Sequence, residues 1–125
     1  MIRALLDTDC AIYAMLGSYP ALRSRLAECE PGEVGLSAIS FAEIVLGNSL
    51  GKARDHAVIE HFVTIVPVLP FDEAASLAYA ALPCRRARFD RLIAAHALSL
   101  GAIIVSNNGA DFADVPGLKV ENWTR

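Results

Sequence analysis

Asp7, Glu43 and Asp90 are the residues of this chain best suited to chemistry. Asp7 closes the apolar run Ile2 to Leu6. A carboxylate at the end of a buried strand must be solvated, paired or metal-bound, because a dry lone charge is expensive. The same residue opens Asp7-Thr8-Asp9, a cluster of helix N-cap types, so capping is an equally good account of it. Glu43 lies three residues past Ser40, the spacing of a capping box. Asp90 opens an Ala/Leu-rich stretch, where the helix macrodipole alone favours an acid. Asp111 follows Asn107-Asn108-Gly109 and could cap a short helix; Asp9 could face the same site or solvent. Several carboxylates converging at one edge would repel, so some stay protonated or a divalent cation compensates them. Oxygen donors with few nitrogens or thiolates select Mg²⁺ or Mn²⁺ over zinc. Such an ion activates water and binds a scissile phosphate.

These acids need a scaffold that brings distant segments to one place. Ile2 to Leu6 reads as a buried parallel strand. Short strands follow at Val34 to Leu36, Ile103 to Val105 and Leu118 to Val120, with a short extended piece at Pro67 to Pro70. Helices are expected over Ala11 to Leu16, around Leu22 and Leu26, over Ser40 to Leu46, along the Val58, Ile59, Phe62, Val63, Val66 stripe, from Asp72 to about Leu82, and from Asp90 to Gly101. Strands alternating with helices predict an α/β fold with a mostly parallel sheet of four or five strands flanked by helices. Ligands of such folds bind beyond the carboxyl ends of the strands, at a topological switch point. Asp7 and the segment Ser106-Asn107-Asn108 both stand in that position.

The 125 residues carry no repeat, linker or low-complexity tract, and a single domain spanning 1–125 is expected. Hydrophobic residues are 54% of the chain, which excludes a disordered polymer, and no apolar run reaches the length of a membrane span. The opening residues are interrupted by Asp7 and do not form a secretory signal, so a cytoplasmic location and no membrane partner are expected. Cys10, Cys29 and Cys84 are odd in number and widely spaced, which fits reduced thiols rather than a disulfide framework or a zinc site. The net charge of −3 gives no global basic field, but Arg85, Arg86 and Arg88 cluster just before Asp90 and could neutralise phosphates locally.

The motifs together resemble the PIN-domain ribonucleases of the VapC type, the toxin halves of type II toxin–antitoxin pairs. Leu5-Leu6-Asp7-Thr8-Asp9 matches the opening strand and its LDT-N/D motif. Ser37-Ala38-Ile39-Ser40-Phe41-Ala42-Glu43 matches S-x-I/V-x-x-x-E. Phe89-Asp90-Arg91-Leu92-Ile93-Ala94-Ala95-His96-Ala97 matches FD-x-x-IA-x-HA. Val105-Ser106-Asn107-Asn108 through Asp111-Phe112 matches VTNN-x-x-E/D-F, and Val115 to Leu118 with Glu121 to Trp123 matches the closing segments. The resemblance implies a PIN-like fold with Asp7, Glu43 and Asp90 as an acidic triad, Asp7 and Asp90 in direct metal contact. It adds Asn108 and Asp111 to the catalytic set, and makes Thr8 and Ser106 the hydroxyl partners that orient a carboxylate or water. The implied reaction is Mg²⁺-dependent hydrolysis of RNA, either tRNA or a structured rRNA loop, leaving a 5′-phosphate and a 3′-hydroxyl. Implied partners are a VapB-like antitoxin and a second copy of the chain, with larger toxin–antitoxin assemblies built from these.

One departure bears on activity. Relatives carry a longer stretch ending Gly-Arg-Pro-Ile-Gly-x-x-Asp, whereas Leu82-Pro83-Cys84-Arg85-Arg86-Ala87-Arg88-Phe89 runs straight into Asp90. The preceding helix should be shorter and the rim of the site altered. Two other readings compete. A degenerate PIN domain would bind antitoxin or RNA without cutting. A haloacid-dehalogenase-type phosphatase would use Asp7 and Asp9 as its D-x-D pair, but no lysine stands in a suitable place. His96 reads as a structural histidine and Trp123 as a packing anchor; Tyr13 and Met15 fit either a partner contact or the core.

Overall fold

Residues 1–49, 56–83 and 89–125 are described by a computed structural model. Its centre is the strand β1 (Ala4–Leu6), three residues with no exposed side chain. Asp7 then ends the strand and caps α1 (Thr8–Leu16), so this helix starts a turn earlier than its apolar residues indicate. The chain continues through α2 (Pro20–Glu28), β2 (Val34–Ser37), α3 (Ala38–Ser49), α4 (His56–Ile65) and β3 (Val68–Leu69). It closes with α5 (Glu73–Ala80), α6 (Phe89–Leu100), β4 (Ile103–Val105), a 3₁₀ helix (Gly109–Phe112) and β5 (Val120–Glu121). All the strand pairs are parallel, in the order β3-β2-β1-β4-β5. The chain winds outward from β1 to one edge, then crosses to the other side, so the switch point falls between β1 and β4. No described helix is long and apolar enough to cross a membrane.

Side chains alternate across the sheet and feed two cores. Leu6, Val34, Leu36 and Val105 pack with Cys10, Ala11, Leu22, Ile59 and Phe62 on one face. Leu5 and Ile104 pack with Leu82, Ile93, Ala94, Ala97 and Phe112 on the other. Gly35 in β2 has no room for more: a Cβ there would lie 2.8 Å from Leu69 Cδ1 and 3.3 Å from Ile2 Cδ1. Tyr13 and Met15 are partly buried against the first core, and the Tyr13 ring meets Tyr19 edge-on at 4.9 Å. Trp123 is buried; its Nε1–H donates to Glu121 Oε1 at 2.9 Å and Arg25 stacks 4.7 Å above its ring.

The capping box expected at Ser40 and Glu43 does not form. The helix α3 begins at Ala38, where Ser37 Oγ accepts the Ile39 N–H at 3.1 Å, and Ser40 is buried within the first turn without a hydrogen-bond partner for its Oγ. Ser37 is also 2.8 Å from His96 Nδ1, which ties α6 to the end of β2. His96 is buried against Phe71, and burial lowers its pKa, so it stays a neutral structural residue. Ser37→Ala is expected to cost about 2 kcal/mol, because it strands a part-buried amide and a buried imidazole nitrogen together. Urea unfolding monitored by circular dichroism checks it.

Candidate active site

The strand pairing sets the site. Leu6 is opposite Val105, and the Asp7 N–H donates to the Val105 carbonyl at 3.0 Å, so Asp7 and Ser106 leave the sheet side by side. Asp7 is 8% exposed. Its Oδ1 accepts the Cys10 N–H at 2.8 Å, and the buried Ser106 side chain acts on the same carboxylate to favour its charged form. The capping account of Asp7 therefore holds, and the carboxylate that caps α1 also stands at the carboxyl edge of the sheet. Burial pushes its pKa up more than these hydrogen bonds pull it down, and the neighbouring Asp9 charge adds to the rise.

Glu43, freed from capping, points toward α1. Its Oε1 accepts the Thr8 hydroxyl at 2.7 Å, across 35 residues of sequence. Its pKa is raised, first by burial and then by the charges of Asp90, Asp9 and Asp7, against the lowering effect of Thr8. Repulsion of this kind means that Asp90, Asp9 and Asp7 each lie within electrostatic reach of Glu43. Asp90 sits in the first turn of α6. Asp7 thus stands at the carboxyl edge of the sheet, and Glu43 is bonded to Thr8 and feels the charges of both Asp7 and Asp90.

Asn108 and Asp111 are bonded to each other and, through the Asn108 amide, to Ser106. Asn108 Nδ2 donates to Asp111 Oδ2 at 2.9 Å, and the Asn108 N–H donates to Ser106 Oγ at 3.0 Å. Asp111 lies inside the 3₁₀ helix and is not its cap. Arg85, Arg86 and Arg88 fall outside the described residues. Cys10 is not a nucleophile: burial and the Asp7 charge push its thiol up to about 12.

Sequence reasoning passed over Arg91. Its side chain is buried beneath the 3₁₀ helix, Nη1 donating to the Asp111 carbonyl at 2.7 Å and Nη2 pairing with Asp114 at 2.6 Å. An arginine on the buried face of α6, among alanines and Ile93 with His96 the other polar residue, was the available signal.

Among the described residues no three His, Cys, Asp or Glu side chains are gathered as a ready-made metal cage. The donor set nevertheless suits a hard divalent cation. It is all oxygen, carboxylates act strongly on one another, and Mg²⁺ keeps several waters and takes only one or two carboxylates directly.

A parallel sheet with a cluster of acids at its switch point defines the class. The chain belongs to the PIN-domain family, whose model matches residues 4–118. Within that family it is similar to VapC proteins. It is 34% identical to the tRNA(fMet)-specific endonuclease VapC of Shigella flexneri, an alignment covering 99% of this chain and 100% of the relative. It is 30% identical to ribonuclease VapC2 of Haemophilus influenzae, covering 98% and 99%. The Shigella alignment runs over 133 positions against the 125 residues here, in keeping with residues missing from this chain. Among solved structures, DNA-bound VapBC from Salmonella typhimurium superposes with a TM-score of 0.86 at 27% identity, covering 98% of this chain and 99% of that one. The VapBC-1 structure from nontypeable Haemophilus influenzae gives 0.80 at 27% identity over the full length of both chains.

Proposed function

We propose that this chain is a VapC-type endoribonuclease toxin, held in check by a VapB-like antitoxin, that hydrolyses RNA phosphodiester bonds with the help of a divalent cation. The observation that supports this most directly is that Asp7, at the carboxyl edge of the sheet, and Asp90, from a distant segment, both bear electrostatically on Glu43. Asp7 and Asp90 would hold Mg²⁺, with Mn²⁺ as a substitute. When bound, the ion supplies a more acidic water and neutralises charge on the scissile phosphate. Ser106 fixes the Asp7 carboxylate by hydrogen bonding. Thr8 occupies Glu43 Oε1, which leaves Oε2 to meet the attacking water, and the raised pKa of Glu43 suits a proton acceptor. Asn108 and Asp111 shape the rim, and Arg85, Arg86 and Arg88 contact substrate phosphates.

The named relatives support tRNA as the first substrate to try. The VapBC structures support a VapB-like partner, and a second copy of the chain is the further partner we propose. Exposed apolar side chains on the helices beside the acids, Val45 and Leu46 on α3 and Phe89 on α6, offer such partners a surface.

The test is cleavage of total tRNA and then of rRNA by the purified chain, free of antitoxin. Discrete fragments with 5′-phosphates are expected in Mg²⁺, none in EDTA, and recovery when Mg²⁺ or Mn²⁺ is restored. A folded chain that cuts neither pool in either metal would instead be a binding module. Thr8→Val should keep the fold and slow cleavage by about 10-fold or more, the usual cost of losing a group that orients a ligand carboxylate. Single-turnover rates on a fixed RNA measure it.

A further inference from the structure

The guanidinium of Arg91 is buried, yet nothing in the packing of α6 calls for a charge there. A buried arginine is costly to desolvate, and an apolar side chain of similar volume often serves stability as well. Its bonding is directional. Nη1 donates to the Asp111 carbonyl at 2.7 Å, Nη2 holds the half-exposed Asp114 carboxylate, and Nε has no hydrogen-bond partner among the described residues. From the Asp111 carbonyl a continuous run of bonds leads inward. The Asp111 N–H donates to the Asn108 carbonyl at 3.1 Å, Asn108 Nδ2 returns to Asp111 Oδ2 at 2.9 Å, and the Asn108 N–H donates to Ser106 Oγ at 3.0 Å, where Ser106 leaves the sheet beside Asp7. Arg91 is also bonded through its own peptide to Asp90. The one residue joins the segment bearing Asp90 to the loop that aims Ser106 at Asp7.

We infer that Arg91 is a positioning residue of the nuclease site, fixing the Ser106–Asp111 loop through the Asp111 carbonyl so that Asp7 and Asp90 keep their mutual placement. The inference rests on the nuclease reading above. A lysine could reach one of the two acceptors but cannot span both, because the fork geometry belongs to arginine.

Arg91→Lys and Asp114→Asn separate positioning from simple stabilisation. Asparagine at 114 keeps an oxygen acceptor for Nη2 and leaves the Asp111 tether in place. On an RNA that the wild-type chain cleaves, Arg91→Lys should lower kcat by about 10-fold or more with KM within about two-fold, at a temperature where it is fully folded. Asp114→Asn should keep kcat within about two-fold even where its Tm falls. Amide exchange gives a readout independent of activity: the Asn108 and Asp111 amides should exchange about 10-fold faster in Arg91→Lys and not in Asp114→Asn. Wild-type kcat in Arg91→Lys overturns the inference, as does a loss of kcat in both variants that simply follows Tm. A wild-type chain inactive on every RNA overturns the nuclease reading itself, and the inference with it.

Discussion

Asp7→Asn is expected to abolish RNA cleavage and, at the same time, to stabilise the chain at neutral pH in the absence of metal. The first effect follows from its place at the switch point. Removing one preorganised charged group from such a site costs on the order of 10²- to 10³-fold in rate. The second follows from burial. Desolvation raises the folded-state pKa of Asp7 above its unfolded value, so the neutral form favours folding and the ionised form opposes it. The favourable contribution is complete below the unfolded pKa of about 4 and is lost as pH rises through the raised folded value. Asparagine keeps the oxygen that accepts the Cys10 N–H and never ionises. Thermal melts in EDTA should therefore show the variant above the wild type at pH 7, with the gap closing toward pH 4. Adding Mg²⁺ should raise the wild-type Tm more than the variant's, since a ligand that binds only the native site stabilises by mass action. A variant that melts lower than wild type at pH 7 would show that Asp7 contributes to the fold as an anion.

Asp90→Asn carries the second large effect. Cleavage should again fall on the order of 10²-fold or more, because a group that holds the reacting assembly in place is gone. The variant also reports on geometry without any substrate. Asp90 is the first among the charges that raise the Glu43 pKa, so neutralising it should let Glu43 titrate at lower pH. Carbon-13 NMR of the Glu43 carboxyl, followed across pH in metal-free protein, measures that. A Glu43 titration unchanged in Asp90→Asn would mean that the two carboxylates do not share a site.

How far the sequence led depended on the range of the interactions involved. β1 and β4 were legible because buried parallel strands are uninterrupted apolar runs, and Asp7 stood out as the acid that ends one of them. The helix from Asp72 was legible for a local reason too: Asp72 Oδ1 accepts the Ala75 N–H, a bond made within one turn. Glu43 was recognised as a candidate, but the local pattern offered Ser40 as its partner. The partner is Thr8, supplied by tertiary packing, while Ser37 starts the helix. His96 was legible as structural, whereas its bond to Ser37 spans 59 residues. Arg91 went unnoticed for the same reason, since its acceptors lie 20 and 23 residues away on a loop with no periodicity to mark it.

The order of strands in the sheet also bears on when the activity can arise. Asp7 is made well before its neighbours in the sheet, since β1 pairs with β2 about 30 residues later and with β4 about 100 residues later. Contacts between such distant segments form only after their loop-closure entropy has been met, which makes them late events in folding. A chain still being translated thus holds Asp7 and Glu43 without the β4 edge that carries Ser106, and the ribosome extends it at roughly 5–20 residues per second. On the proposed reading, a nascent chain that has not yet reached β4 lacks part of the edge that cleavage needs, so it should spare the RNAs that are making it.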